Sequence, residues 1–409
     1  MPDKIFLHDY KSGKRYTYRQ LLEDLNAVSD LERYCYKQDL YAIFLAIIAA
    51  NLYQIDLVLL DADFSYEELQ KLRIDATKLC EKEHVNASFI NTIDELVGRL
   101  TGNQDWELTL FTSGTTGIPK SVTHTFKSLT RAVRISSRHA DDVWGFAYNP
   151  THIAGLQVFY QALLNGNTLI NLFSAARHTV LDFITSFQIT NISATPTFYR
   201  LLFPLTELYP SVKRLTSGGE KFDGALSEKL LDFFPNAKLR NIYASTEAGT
   251  MLEGVGDIFV LNDENCYRIV ENELYVHRSL LGKGDTTSLE DDEWYPTGDL
   301  VELIQEDPKK FRFLQRKNEM INVGGYKVNP LEVEENICIH HAVKQAYVYG
   351  KPNILLGNII IADIVSDAGI TEKELRDFLQ SRLQPYKIPR IMNFVSFIEL
   401  TRSGKLKRT

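Results

Sequence analysis

Along the middle of the chain, short apolar runs alternate with longer amphipathic ones. From about Trp106 to Ser245, "LTLF" leads through a Gly/Ser/Thr loop to "FKSLTRAVRISS", and "VWGFAYNP" leads to "GLQVFYQALLNG". "TLINLF" precedes "TVLDFITSF", "NISATP" precedes "TFYRLL", and "VKRLTSGG" precedes "GALSEKLLDFF", after which comes "LRNIYAS". Strand-like and helix-like runs in alternation argue for parallel sheets with crossover helices. Between about Thr250 and Leu303 the texture shifts to short strands and turns, as in "NELYVHR" and "EWYPTGDLVEL". After Arg316 comes a smaller mixed unit. There "LEVEENICIH" reads as a helix, "KQAYVYG" and "NIIIADIV" as strands, and "TEKELRDFLQSRL" as a helix with a Thr cap. The pattern predicts an α/β fold. A large N-terminal domain of parallel-type sheets with crossover helices and a small β-barrel-like part precedes a small α+β C-terminal domain.

Composition narrows the function classes. A chain of 409 residues has length for two or three domains and a large core. The balance of 45 basic against 53 acidic residues, net −8, does not suggest a broad nucleic-acid surface. Cys35, Cys80, Cys266 and Cys338 lie far apart with no CxxC spacing, the pattern of reduced thiols in the cytoplasm. The N-terminus "MPDKIFLHDY" has no apolar core of a secretory signal. "YAIFLAIIAA" is about half the length of a membrane span, so a buried helix is expected there and no membrane span.

Candidate chemistry starts with "LTLFTSGTTGIPKS", Leu108 to Ser121. Ser113 to Gly117 is an unbroken run of Gly, Ser and Thr between an apolar stretch and Lys120. Such a loop exposes N–H groups and hydroxyls that can cradle phosphate, with Lys120 as a point charge. A flexible connector has the same composition. A Walker loop requires Gly before its lysine, and here Pro119 stands there; no GxGxxG run occurs either.

What remains, S-G-T-T-G-x-P-K, resembles the signature loop of the adenylate-forming superfamily of acyl- and aryl-CoA ligases, luciferases and peptide-synthetase adenylation domains. Further stretches follow in that family's order. "YASTEAG" (Tyr243 to Gly249) resembles its Y-G-x-T-E-x-G motif, and "WYPTGD" (Trp294 to Asp299) its ribose-binding segment. "QRKNEMINVGGYKVNPLEVEE" resembles the hinge and first C-terminal helix, and "TRSGKLKR" the catalytic-lysine loop. The resemblance implies domains at 1–315 and 316–409, the second mobile.

It also implies a chemistry. A carboxylate is a poor electrophile because its leaving group would be oxide, and attack on the α-phosphate of ATP replaces that with AMP. Two anions must meet, so positive charge and N–H donors are needed. By resemblance, Thr112, Ser113, Gly114, Thr115, Thr116, Gly117 and Lys120 hold the β- and γ-phosphates. Thr246 donates to the α-phosphate, and Glu247 holds Mg²⁺ through a hard carboxylate oxygen. Read without the resemblance, "STE" is a helix start with a capping hydroxyl. Tyr243, with Ala244 and Ser245 beside it, stacks on adenine, while Gly218, Gly219 and Glu220 of "SGGE" approach the opposite face. Asp299 accepts from the ribose hydroxyls, and Arg316 reaches ribose or phosphate. Lys405 bridges the carboxylate and α-phosphate during adenylation; its bland alternative is a basic tail. Gly324 and Gly325 pass a pantetheine arm.

Departures from the family pattern are Ser121, Ala244, Gln315 and Asn318, with glycine usual at the first three. The region before the phosphate loop is short for the family, which trims the layer carrying its usual dimer surface and leaves the oligomeric state open. "NPTHIAG" (Asn149 to Gly155) resembles the P-x-x-H-x-x-G form of CoA ligases and offers no carboxylate for an amino acid's ammonium. His152 would line the acyl pocket, or be a structural histidine. Small residues at Ala194, Gly218, Ala244, Ser245 and Gly249 would leave room for a flat ring, so an aromatic or arylpropenoic acid is expected. CoA is the expected acceptor, with the phosphopantetheine of a discrete acyl carrier protein as the alternative. A nucleotide-binding pseudoenzyme is the reading from another class; it requires loss of Glu247, Asp299 or Lys405, and all are present.

Overall fold

The computed structural model describes residues 3–86, 89–112, 120–220, 222, 224–284, 293–323, 326–353, 357–366 and 369–399. The apolar run Tyr41–Ala50 lies within the helix Leu40–Leu52, started by Asp39, whose carboxylate accepts from the Ala42 N–H at 2.8 Å. Ile43, Phe44, Ile47 and Ile48 of this helix are buried in the main core. A half-span apolar segment thus becomes a core helix, and no helix of the described residues is long and apolar enough to cross a membrane.

The chain divides into two compact units. One comprises Met1–Phe222, Ser227–Gly256 and Arg278–Glu293. Its larger sheet runs, in spatial order, through Lys14–Thr17, Ile5–Asp9, Thr168–Asn171, Val143–Phe146, Asn191–Ala194, Arg214–Gly218, Lys238–Ser245 and Gly249–Val255. The inner members are mutually parallel, and the two end strands are antiparallel to their neighbours. Thr168–Asn171 and Asn191–Ala194 are buried at every position, as a strand covered on both faces must be. Helices Ile153–Leu163, Arg177–Ser186 and Pro196–Leu201 make crossovers that the alternating texture predicts.

The second sheet of this unit aligns Tyr34–Cys35, Leu57–Leu59 and Glu107–Thr112 in parallel. Lys120–Thr125 returns antiparallel to the last of these, and Lys283–Gly284 pairs with the return strand. The glycine-rich loop therefore links two antiparallel strands, with Thr112 opposite Lys120, and does not lead straight into a helix. "KSVTHT" alternates outward and buried positions along β-branched residues, which suits a pleated strand. The helix in "FKSLTRAVRISS" shrinks to Phe126–Thr130, capped by Thr125.

The other unit comprises Asp223–Leu226, Asp257–His277 and Trp294–Thr409. Its turn-rich part is antiparallel: Tyr267–Val270, Glu273–His277, Trp294–Glu306, Lys309–Arg316 and Ile258–Val260 in that order. Beyond Arg316, Val343–Asn353 and Gly357–Ser366 form a long antiparallel pair, with Ile391–Phe394 added in parallel. Helices Pro330–Cys338 and Glu372–Gln380 cover it. Val333, Ile337, Leu375 and Leu379 close a core with Val348, Ile360 and Ile364. The expected Thr cap is Thr371, in a reciprocal box with Glu374.

Candidate active site

Thr246 and Glu247 sit in a tight hairpin turn, not at a helix start. Lys238–Ser245 and Gly249–Val255 flank the turn, with Ser245 opposite Gly249 and Ala244 opposite Thr250. Gly249 has φ +65°, which glycine adopts without strain, and a Cβ there would lie 3.0 Å from Gln157 Nε2. Three consecutive turn carbonyls are engaged from elsewhere in the same unit. Thr246 accepts from His124 Nε2 at 2.6 Å, Glu247 from the Gly282 N–H at 2.6 Å, and Ala248 from Arg131 Nη2 at 2.5 Å. The bond to a carbonyl requires His124 to carry its proton on Nε2, and Nδ1 accepts from Ser128 Oγ at 3.0 Å. Burial lowers the His124 pKa, and the Arg131 charge lowers it further, against the opposing Thr246 carbonyl and Glu247 carboxylate. A neutral His124 therefore holds the turn that carries Thr246 and Glu247. The sequence analysis did not single out His124, Arg131 or Gly282.

The Glu247 carboxylate is half-buried and accepts no hydrogen bond from a described residue. A single hard oxygen ligand of this kind suits Mg²⁺, which takes one or two carboxylates and completes its shell with water and substrate phosphates. Among the described residues there is no group of three or more His, Cys, Asp or Glu side chains that could hold a metal ion.

A second cluster surrounds Asp61, just beyond the strand Leu57–Leu59 that neighbours Glu107–Thr112. Asp61 is buried. Its Oδ1 accepts from Asn149 Nδ2 at 3.1 Å and from Thr151 Oγ1, and its Oδ2 faces His152 Nε2 at 3.3 Å. Burial alone would raise the Asp61 pKa. The hydrogen bond and charge of His152, with the Thr151 and Asn149 donors, outweigh this and hold it below the usual aspartate value. His152 itself is the N-cap residue of Ile153–Leu163. A Cβ on Gly155 would come within 2.2 Å of the Asn149 carbonyl, so the segment Asn149–Gly155 closes up on itself only with glycine there. Asp61 is a functional candidate that the sequence analysis missed. The available signal was an acid ending the apolar run "LVLL" at the carboxyl end of a parallel strand, where ligands of α/β sheets gather.

Gly218 ends the strand Arg214–Gly218; a Cβ there would lie 3.2 Å from the Ile242 carbonyl and 3.5 Å from Tyr148 Oη. Gly219 follows at φ +83°. The Glu220 carboxylate caps the helix Pro196–Leu201, accepting from Thr197 N–H at 3.0 Å and Thr197 Oγ1 at 2.8 Å. Tyr243 is half-buried, next to a register shift that separates it from Ala244. Ala194 is fully buried.

In the other unit, Asp299 lies inside the strand Trp294–Glu306 and is buried, unlike an ordinary turn aspartate. Arg316 stands directly opposite it, and Arg316 Nε donates to Asp299 Oδ1 at 3.0 Å. Gly298, at φ +74°, donates its N–H to Glu273 Oε1 at 3.0 Å. Glu273 Oε2 also takes Lys317 Nζ at 3.1 Å. One buried carboxylate thus ties the strand segment Thr297–Asp299 to the residue after Arg316. Neither Glu273 nor Lys317 was picked out from the sequence.

Among the other expected residues, Thr112 ends its strand and Lys120, exposed, begins the return strand. Ser113, Gly114, Thr115, Thr116, Gly117, Gly324, Gly325 and Lys405 lie outside the described residues.

Comparison with known proteins addresses the family and the fold. The AMP-binding enzyme profile matches residues 46–269, and that of the AMP-binding enzyme C-terminal domain matches 332–405. A 2-succinylbenzoate–CoA ligase of Bacillus velezensis is 28% identical over 468 aligned positions, covering 100% of this chain and 94% of the relative. A 4-hydroxybutyrate–CoA ligase of Metallosphaera sedula is 26% identical, covering 75% of this chain and 62% of the relative. Among solved structures, the o-succinylbenzoate CoA synthetase of Bacillus subtilis, in complex with its acyl-adenylate intermediate, superposes with TM-score 0.74 at 22% identity. That match covers 99% of this chain and 94% of the other. An anthranilate CoA ligase in complex with anthranoyl-AMP gives TM-score 0.74 at 18% identity, covering 99% and 93%. With the enzyme profile spanning more than half of its 409 residues, the chain belongs to the AMP-binding enzyme family.

Proposed function

We propose that this chain is an ATP-dependent acid–thiol ligase that converts a carboxylic acid to an acyl-adenylate and passes the acyl group to CoA. The observation that carries the proposal is the Thr246–Glu247 hairpin. Its backbone is held by His124, Gly282 and Arg131, while the Glu247 carboxylate takes no bond from a described residue. Thr246 is assigned to the α-phosphate and Glu247 to Mg²⁺, which screens the phosphate charge when bound. Thr112 to Gly117 with Lys120 are assigned to the β- and γ-phosphates, and Tyr243 to Ser245 with Gly218 to Glu220 to adenine. Asp299 is assigned to ribose, and Arg316 to ribose or phosphate. Lys405 is assigned to adenylation and Gly324 and Gly325 to the pantetheine arm. Residues 1–315 and 316–409 are taken as the two functional domains, the second mobile.

The acid is proposed to be aromatic or arylpropenoic. The small residues Gly218, Ala244, Ser245 and Gly249 motivate this choice of a flat ring. The 2-succinylbenzoate and anthranilate ligases among its relatives and structural neighbours support this class. Cys35, Cys80, Cys266 and Cys338 are all free thiols, which supports placing the protein in the cytoplasm.

Pyrophosphate exchange with a panel of acids tests the reading. Benzoate-, cinnamate- or succinylbenzoate-type acids should drive exchange, and palmitate should not. Exchange with no acid, despite ATP binding, would replace the ligase by a nucleotide-binding pseudoenzyme. Supplying the adenylated acid with CoA or with a phosphopantetheinylated carrier, and weighing the thioester, decides the acceptor. Lys405→Ala should abolish exchange yet spare thioester formation from a supplied adenylate.

A further inference from the structure

The Asp61 network has a handedness that fixes the proton of His152. The Thr151 backbone N–H donates to Asn149 Oδ1 at 2.9 Å, so the Asn149 amide cannot be turned around and its Nδ2 must face Asp61 Oδ1. Thr151 Oγ1 donates to the same oxygen. Only Oδ2 is left for His152, and a carboxylate oxygen can only accept. His152 Nε2 must therefore carry the ring proton. His152 Nδ1 makes no hydrogen bond to a described residue, and in the neutral ring it holds a lone pair. An imidazole with one nitrogen clamped by a buried carboxylate and the other left basic is the arrangement that lets a histidine accept a proton.

We propose that Asp61 and His152 form a dyad in which His152 accepts the thiol proton during acyl transfer and Asp61 positions it. This rests on the ligase reading above and names the base for its second half. The thiol sulfur forms a bond to the acyl carbon, and the bond from that carbon to the adenylate oxygen breaks, its electron pair leaving with AMP. The sulfur's proton passes to His152 Nδ1, and the resulting imidazolium is stabilised by the Asp61 carboxylate against Nε2–H. Adenylation transfers no proton from a nucleophile, because the attacking carboxylate is already ionised, so that half-reaction does not need the dyad. Asp61 is a positioning residue; His152 is the group that touches the reacting thiol.

Asp61→Asn is the informative variant. The donors of Asn149 and Thr151 demand an oxygen on their side, so the new amide must turn its NH₂ toward His152. Nε2 then becomes the acceptor, the ring proton moves to Nδ1, and the base is switched off. Long-range ¹⁵N–¹H correlation spectra of the histidine side chains above their titration range should show Nε2–H at His152 in the native protein and Nδ1–H in Asp61→Asn. Thioester formation from supplied acyl-adenylate and CoA should fall by about a hundredfold or more, the range of a lost general base. Pyrophosphate exchange should stay within about threefold, since no proton transfer to the dyad is involved. His152→Ala, which removes a ring whose sole described partner is Asp61, should lose thioester formation at least as far, and Asp61→Asn added to it should cost transfer nothing further. Unchanged tautomers, unchanged transfer in Asp61→Asn, or equal loss of both half-reactions would each overturn the dyad. A native protein that exchanges pyrophosphate with no acid would fail the ligase reading itself, whereas exchange with normal transfer in Asp61→Asn would fail the dyad alone.

Discussion

Asp61 and Glu273 are both buried acids at strand ends, one in each unit, and each fixes a motif far along the chain. Asp61 holds the segment around His152, 91 residues away, and Glu273 holds Gly298 and Lys317. Their partners differ. Asp61 takes an amide, a hydroxyl and a titratable imidazole, and the His152 side chain is 21% exposed. Glu273 takes a backbone N–H and a permanently charged ammonium whose side chain is 64% exposed. A mostly buried donor set gives a hold that salt barely screens but acid can break. An exposed lysine gives one that salt screens and that a mobile segment can leave. The first suits the proton acceptor proposed above, and the second the proposed mobile junction.

The largest effect should come from emptying the first cluster. Asp61→Ala strands the donors of Asn149, Thr151 and His152 in a buried site, and should lower unfolding free energy by about 3 kcal/mol. Urea unfolding measures it; a loss no larger than that of an exposed-site control would erase the distinction between the two acids. Glu273→Ala frees one backbone N–H and an exposed lysine that water can satisfy, so its cost to stability should be nearer 1 kcal/mol. Its signature should instead be affinity: with Gly298 unpinned, the Kd for ATP should rise about tenfold by calorimetry.

Acid should act next, in two stages. His124 has its pKa lowered by burial, so it stays neutral in the fold while the unfolded chain takes up a proton. Its contribution is complete above about pH 6.5 and is lost as pH falls through the lower folded value. Asp61 also has a lowered pKa; its contribution is complete above about pH 4 and is lost below that. Stability measured against pH should therefore decline in both windows. Burial lowers the His8 pKa as well, so His124→Asn should make the first decline shallower without removing it and should leave the second; an unaltered curve in that variant would remove the case for a buried neutral imidazole at His124.

The smallest effect is expected at Lys317. Replacing it with Ala should leave the unfolding midpoint almost unchanged, because the ion pair is exposed. Turnover that depends on motion at the junction should lose part of its salt sensitivity in this variant. Steady-state rates across an ionic-strength series check this, and an identical salt profile in both proteins would show that the pair plays no part in the motion.

The sequence by itself determined most of the elements and the chemistry they carry. Alternating texture specified the crossover helices and parallel strands, because burial on both faces leaves continuous apolar runs whatever the neighbours are. Thr246, Glu247 and Asp299 stood out because the stretches that hold them resemble motifs of the adenylate-forming family; read alone, "STE" is an ordinary helix start. Local pattern was weaker where propensities compete. "KSVTHT" falls in no assigned element, and "STE" could equally start a helix; the first is a strand paired with the one before it, and the second is the turn between two adjacent paired strands. The anchors were decided only by tertiary structure. His124 lies 122 residues from the carbonyl it holds, and Glu273 lies 44 from the lysine it pairs with. Nothing in "VTHTF" or "NELYVH" distinguishes these side chains from ordinary strand residues. Hydrogen bonds over such separations depend on sheet register, and register is settled by the packing of the whole core rather than by neighbours in sequence.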